Sequence, residues 1–316
     1  VLNDWGGFQI LLERIAAAVE LTRASVHVVA VDDGSEEIRC PADSVLSGCL
    51  ESVDIVRLNA NQGHQRAIAL GLAHVHNTGS YDAVVVMDSD GEDKPEAINR
   101  LLAQHQKDPD AIIVARRTKR SEGLVFRIFY QIYKWVFHFL TGKPISFGNF
   151  SLIPFDRLPN ILFNSGVWNN FAATLLRSRV RIRFEPIERG DRIMGESKMG
   201  FTGLLIHGFS AISIFTDVVI GRIMLLLGAV SVLAVGVIIW VVITKFFTST
   251  FVPGYATTII LAVISFLGLT LFMGFLIVLS LLAARSNATV LPTVVLSDHV
   301  HSVTRIAVAK ARSERV

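Results

Sequence analysis

The sequence predicts an α/β domain with a mainly parallel sheet, interfacial amphipathic helices and a C-terminal pair of membrane spans. Three observations predict this class. Strand-like and helix-like segments alternate through residues 1–117, the pattern of a doubly wound sheet. Apolar runs there stop abruptly at acids instead of alternating with polar residues. Two uncharged apolar stretches close the chain, each long enough to cross a hydrocarbon core about 30 Å thick.

The opening Val1-Leu2-Asn3-Asp4-Trp5 reads as a strand end entering a turn. Phe8, Leu11, Leu12, Ile15 and Val19 then recur at helical spacing over residues 7–20. Val26 to Val31 is a strand ending in Asp32-Asp33-Gly34-Ser35, and Ile55 to Leu58 is a short one. Asn61 and Gly63 suit a turn that opens a helix from His64 to Val75. The central strand, Ala83 to Met87, runs into Asp88-Ser89-Asp90-Gly91-Glu92-Asp93, and Pro95 starts a helix reaching Gln106. Ala111 to Ala115 is a further strand, ending in Arg116-Arg117.

After Gly123 the character changes. Residues 124–140 are apolar nearly all round; Arg127, Gln131, Lys134 and His138, spaced four, three and four, form one polar stripe on a helix. This reads as an interfacial helix, against the alternative of a core helix with a solvated edge. Residues 146–152 are strand-like, 168–177 helical and 181–187 a strand. A charged, glycine-bearing loop follows over 188–198, then an amphipathic stretch over 199–215. Ile223 to Thr244 carries no charge, and a second uncharged run goes from the Pro253-Gly254 turn to Ala284. Arg222 and Arg285 flank the outer ends while the turn carries only Lys245, which puts the domain and tail in the cytosol. The layout is a cytosolic domain over 1–198, an interfacial helix over 199–219, two spans over 220–285 and a cytosolic tail over 286–316 without functional signal.

The composition fits this layout. Of 316 residues 51% are hydrophobic, too many for an ordinary soluble domain. A net charge of +3 without basic patches interleaved with aromatics argues for anionic ligands and a membrane surface, and against nucleic acid. Cys40 and Cys49 match no metal-binding spacing and read as reduced thiols.

Chemistry concentrates at Asp88 and Asp90. Ligands of open α/β sheets bind beyond the carboxyl ends of strands. Two carboxylates there can hold a hard divalent cation, and through it a diphosphate; the plainer reading is a solvated turn capping the next helix. The context favours the first. Asn3-Asp4, Val31-Asp32-Asp33-Gly34-Ser35, Asn61-x-Gly63 with Ala67 and Gly71, Met87-Asp88-Ser89-Asp90 with Pro95-Glu96, Gly148-x-Phe150-x-Leu152 and Arg192-x-x-Gly195-x-Ser197-Lys198 occur in order, followed by two spans. Together they resemble the family-2 inverting glycosyltransferases, in particular the polyprenyl-phosphate branch that includes dolichol-phosphate mannose synthases.

The resemblance implies a nucleotide-binding domain of the GT-A type. It implies transfer of a hexose from a UDP- or GDP-sugar to a polyprenyl phosphate at the cytosolic face of the cell membrane. Asn3, Asp4, Asn61 and Gly63 would line the donor pocket, with Asp32 or Asp33 near base and ribose. Asp88 and Asp90 would hold the diphosphate through Mg²⁺ or Mn²⁺, with Glu92 as a third ligand. Arg127, Arg192 and Lys198 would meet the acceptor phosphate, Arg192 and Lys198 also serving catalysis. The partners are the donor, the lipid acceptor and the bilayer; spans of this kind are compatible with a homo-oligomer. The chain departs from the family at Glu92, where a glutamine is common, and at Ser146-Phe147-Gly148-Asn149-Phe150, where Asp-x-Gly-Asp-Phe is common. Two other functions fit the sequence. One is transfer to a lipid or lipid-linked hydroxyl, with Asp191 or Glu196 as base; the other is a non-catalytic membrane scaffold.

Overall fold

The computed structural model describes residues 1–20, 22, 24–37, 50–117, 124–194, 201–247, 254–286 and 290–307. Cys40, Cys49, Pro253 and the expected site residues Gly195, Glu196, Ser197 and Lys198 lie outside them. The chain divides into two units. One comprises Val1–His138, Lys143–Ile214 and the chain from Val290 on; the other comprises Phe139–Gly142 and Phe215–Thr289.

The first unit is the α/β domain. Helix α1 (Trp5–Glu20) buries Phe8, Leu11, Leu12, Ile15 and Val19, the apolar face read from their spacing. Strand β1 (Val26–Asp32) pairs in parallel with β2 (Leu50–Leu58), which is longer than the sequence suggested. Helix α2 (His64–Thr78) packs against β1 so closely that a Cβ on Gly71 would lie 2.7 Å from Val31. The short strand β3 (Ala83–Val86) carries the acidic turn, followed by a 3₁₀ turn at Pro95–Ala97 and helix α3 (Ile98–Lys107). Strand β4 (Ile112–Arg117) precedes helix α4 (Leu124–Thr141), and strand β5 (Ser151–Pro154) follows it. Helices α5 (Pro159–Leu162) and α6 (Phe171–Arg177), strand β6 (Ile182–Ile187) and helix α7 (Phe201–Ser213) complete this stretch.

The expected mainly parallel sheet is mixed. Its second sheet has the order β3-β5-β4-β6; β4 and β6 are parallel, but β5 runs antiparallel to both of its neighbours. The reason is where α4 delivers the chain. Residues 149–151 start β5 beside the end of β3, in the register Val86 opposite Ser151. Extending that register by two residues sets Asn149 opposite Asp88. Strands β3 and β4 thus point the same way, so the acidic turn after β3 and the loop after β6 share one end of the sheet.

Alternate residues of β3 feed two cores. Ala83 and Val85 pack on the cluster of α1 and α3 that contains Leu12 and Leu101. Val84 and Val86 join the cluster of α2, α5 and α6 that contains Leu72, Ile161 and Phe171. Only Val86 is buried, and full burial of a valine contributes about 1.5–3 kcal/mol; the other three add partial burial on both faces.

The tail expected to stand apart over 286–316 is, over 290–307, part of this domain. Helix α10 (Pro292–His299) leads into β7 (Val300–Ala307), which pairs antiparallel with β2 and completes the order β1-β2-β7. Arg305 donates twice to Asp54 of β2, at 2.6 and 2.5 Å, and His74 of α2 lies 3.7 Å from the same carboxylate.

The second unit holds α8 (Thr216–Phe247) and α9 (Tyr255–Ser286), both long and apolar enough to cross a membrane. They pack where Gly274 faces Met224 and Leu227. Most of their apolar surface is exposed, as at Leu225 and Val232. Arg222 donates to the Phe139 carbonyl.

Candidate active site

The acidic turn is a folded loop rather than a loose one. Buried Asp93 accepts the backbone N–H of Asp88 at 3.0 Å, and Asp90 Oδ1 accepts that of Glu92 at 3.0 Å. Gly91 has φ +82°, and a Cβ there would lie 2.4 Å from Ile193, so only glycine fits. Burial, with the charges of Glu92 and Asp88 added, pushes the Asp90 carboxyl above its usual range; the Glu92 N–H and Arg192 pull against that.

Residues 188–194 stitch themselves to this turn. Gly190 N–H donates to the Glu92 carbonyl at 2.8 Å and Ile193 N–H to the Asp90 carbonyl at 2.9 Å. Arg192 donates to Asp90 Oδ2 at 2.8 Å, with its Nε 3.8 Å from Glu92. Arg189 donates to Glu92 Oε2, its Nε at 3.0 Å. Glu92, expected as a metal ligand, is thus turned to two arginines. Arg189 was not among the expected site residues; its signal was its place three positions before Arg192.

On the other flank, the Asn149 amide nitrogen lies 2.8 Å from His64 Nε2 and 3.3 Å from Asp88 Oδ1, donating to both. His64 itself is 3.4 Å from Asp88. The antiparallel β5 puts Asn149 there, which periodicity alone does not reveal.

The turn after β1 is built differently. Asp33 accepts the N–H of Gln62 at 2.7 Å and of Gly63 at 3.0 Å. Burial raises its carboxyl above the usual range, and these two bonds work against the rise. Asp32 is fully buried; Oδ1 accepts Ser35 N–H at 3.1 Å, while Arg57 Nε is 3.9 Å from Oδ2. Asn61 Oδ1 accepts Gly63 N–H, Asn3 Oδ1 accepts Glu36 N–H, and Asp4 Oδ1 accepts Gly7 N–H in the first turn of α1. These residues gather at one end of the domain, each with an oxygen already accepting from the backbone.

Arg127 lies in α4, but its side chain is outside the described residues. Asp191 is exposed on the basic loop. Helices α4 and α7 meet where Tyr133 abuts Gly208. Each turns large apolar side chains outward: Phe129, Ile132 and Trp135 on α4, Leu205, Ile206 and Phe209 on α7.

Among the described residues no group of three or more His, Cys, Asp or Glu is placed to hold a metal ion. Asp88 and Asp90 still fit one of the magnesium kind. Such an ion keeps its waters and substrate phosphate oxygens and needs only one or two carboxylates.

A β-strand ending in a carboxylate pair is thus faced by a basic loop at one end of an α/β sheet. Residues 3–172 match the family model described as Glycosyl transferase family 2, and the chain belongs to that family. It is 28% identical over 218 residues to an undecaprenyl-phosphate 4-deoxy-4-formamido-L-arabinose transferase of Enterobacter sp. (strain 638), a match spanning 65% of this chain and 62% of the relative. Proteins of the same name from Salmonella paratyphi A and Sodalis glossinidius are 26% and 27% identical, over 75% and 72% of this chain and 71% of each relative. Enzymes of this family are generally dependent on a divalent metal.

Proposed function

We propose that the chain transfers a hexose, with inversion, from a UDP- or GDP-linked sugar to the phosphate of a polyprenyl phosphate at the cytosolic face of the cell membrane. The observation that carries this is the pairing of Arg192 with Asp90 after β3, in a domain whose helices α4 and α7 turn apolar side chains outward. The names of the relatives supply the acceptor class.

In this reaction a phosphate oxygen of the lipid bonds to the anomeric carbon. The bond from that carbon to the donor diphosphate breaks, and the nucleoside diphosphate leaves with the electron pair. The acceptor is already an anion at neutral pH, so no strong general base is needed. The work left to the protein is positioning and neutralising the leaving group. Asp88 and Asp90 would hold Mg²⁺ or Mn²⁺, which supplies charge to the departing diphosphate. Arg192, which pairs with Asp90, would present its guanidinium to the same group. Asn149 fixes the Asp88 carboxylate.

The chain leaves the α/β unit after Ile214 and rejoins it at Val290, which supports α8 and α9 crossing the bilayer as a pair. A cysteine at Ser249 in place of the serine should react with an impermeant thiol reagent applied to intact cells; labelling only after lysis would overturn the orientation. The activity is tested by incubating the purified chain with polyprenyl phosphate and a panel of UDP- and GDP-sugars. One donor should yield a sugar-phosphate lipid. Binding of a nucleotide without transfer from any donor would reject the reading.

A further inference from the structure

Four arginines stand at alternate positions within seven residues, Arg177, Arg179, Arg181 and Arg183, and all four are exposed. They run from the last turn of α6 into β6. The Arg177 guanidinium donates to the carbonyl of Ile214, which follows α7 and stands two positions before α8 opens at Thr216. That bond ties the start of the cluster to the point where the chain turns from the amphipathic α7 into the first span. Arg181 Nη1 and Arg183 Nε both donate to one carboxylate oxygen of Asp108, at 3.2 and 3.0 Å. Two guanidinium groups on one carboxylate leave a net positive charge and N–H donors to spare. Strand β6 is the edge of its sheet, where charged side chains guard against mispairing, and this accounts for Arg183. It does not account for Arg179. That residue has no hydrogen-bond or ion-pair partner among the described residues, and its φ is +61°. It follows Ser178, whose N–H closes α6 on the Thr174 and Leu175 carbonyls, a place where glycine is the usual residue. Among the described non-glycine residues Asn3 shares the left-handed region, which asparagine tolerates; a long side chain enters it only at a cost. An arginine held in a glycine's place, bonded to nothing within the chain, points to a use outside it.

We propose that this cluster binds the headgroup of an anionic bilayer phospholipid where the chain enters the first span, with Arg179 on the phosphodiester oxygens. Basic clusters beside a span attract anionic lipid by about fivefold in affinity per charge. The planar guanidinium fork matches two phosphate oxygens at once. The occupant is a membrane lipid because Arg177 holds the cluster to the chain just before α8, and α7, which ends there, turns Leu205, Ile206 and Phe209 outward. The cluster is also distinct from the acidic turn. Strand β6 carries the chain away from Arg181 to the loop over residues 188–194, and it is that loop which meets Asp90. The lipid is therefore not the acceptor, and the proposal holds whether or not the chain transfers a sugar.

The test uses the full chain in a non-ionic detergent, titrated with phosphatidylglycerol or phosphatidylcholine of the same acyl chains, with bound lipids counted by native mass spectrometry. Wild type should bind the first phosphatidylglycerol more tightly than phosphatidylcholine. Arg179→Gln and Arg179→Gly should weaken that binding about fivefold and leave phosphatidylcholine binding unchanged. Arg179→Lys, which keeps the charge, should retain most of it. Tm separates binding from folding: Arg179→Gly should melt no lower than wild type, since glycine adopts the left-handed backbone without strain. Equal affinity of wild type for the two lipids would overturn the proposal. So would wild-type affinity in Arg179→Gln and Arg179→Gly, a loss in Arg179→Lys as large as in Arg179→Gln, or a loss in Arg179→Gly that comes with a fall in Tm. Two further arms check the source of the phosphate. Inorganic phosphate displacing the lipid at matched ionic strength would assign the cluster to a soluble anion. Variants that lose polyprenyl phosphate but keep phosphatidylglycerol would assign it to the acceptor. Either result overturns the proposal as well.

Discussion

Two acidic turns end strands of this domain, β1 and β3, and they are held in different ways. After β1, Asp33 is bound to the backbone of Gln62 and Gly63, and Asp32 to that of Ser35. After β3, Asp88 and Asp90 meet side chains from elsewhere in the chain: Asn149, His64 and Arg192. Carboxylates bound to backbone N–H groups build a loop. Carboxylates opposed by long side chains can exchange those partners for a ligand. The sequence shows two similar clusters of acids; their long-range side-chain partners differ.

Four measurements break or sharpen that contrast. The largest effect is expected at the second turn. Asp88→Asn or Asp90→Asn should lower sugar transfer about 10²- to 10⁴-fold, the scale of metal-assisted stabilisation, with little change in Tm. Activity above half of wild type in Asp90→Asn would erase the distinction. Next, Arg192→Ala should lower kcat about ten- to a hundredfold; unchanged kinetics would leave Arg192 as a mere tether of the loop. At the first turn the signature should be stability. Asp33→Asn should cost about 2 kcal/mol, or about 4–8 °C in Tm, with transfer rates within a few-fold when assayed cold. A rate loss as large as that at Asp90, with Tm intact, would move Asp33 into the chemistry.

The smallest effect is on pH, away from both turns. Burial holds His74 below its ordinary pKa, although Asp54 attracts the proton. The unfolded chain therefore binds a proton near pH 6.5 that the fold refuses. Stability from this group is complete above that pH and declines as pH falls below it towards the folded value. Burial alone would raise the Asp54 carboxyl, but Arg305 and His74 hold it below the usual range; its contribution is lost only at much lower pH. Cleavage of the 290–307 segment by protease should thus increase from pH 7.5 to 5.5 in wild type and stay flat in His74→Phe. Equal cleavage at both pH values in wild type would remove His74 from the account.

Much of the domain was legible beforehand, for local reasons. Helix α1 shows its buried face as spacing, and β3 shows itself as four β-branched or small residues stopped by acids. The mixed sheet was not legible, because the antiparallel β5 is set by where α4 delivers the chain. Hence Asn149 stood in the sequence as a departure from the family and in the structure as a partner of Asp88. Strand β7 was hidden more deeply. Its outer residues are exposed, and its register partners on β2 lie some 250 positions earlier, so no local pattern announces it.

The late arrival of β7 bears on how the protein is made. A ribosome releases β1, β2 and the whole acidic turn long before residues 300–307, with two membrane helices synthesised in between. Until then β2 offers an open edge, the kind that invites mispairing. Closure by β7 requires that the second helix bring the chain back to the side from which the first departed. A nascent chain inserted with a single crossing would strand β7 across the bilayer and leave Asp54 without Arg305.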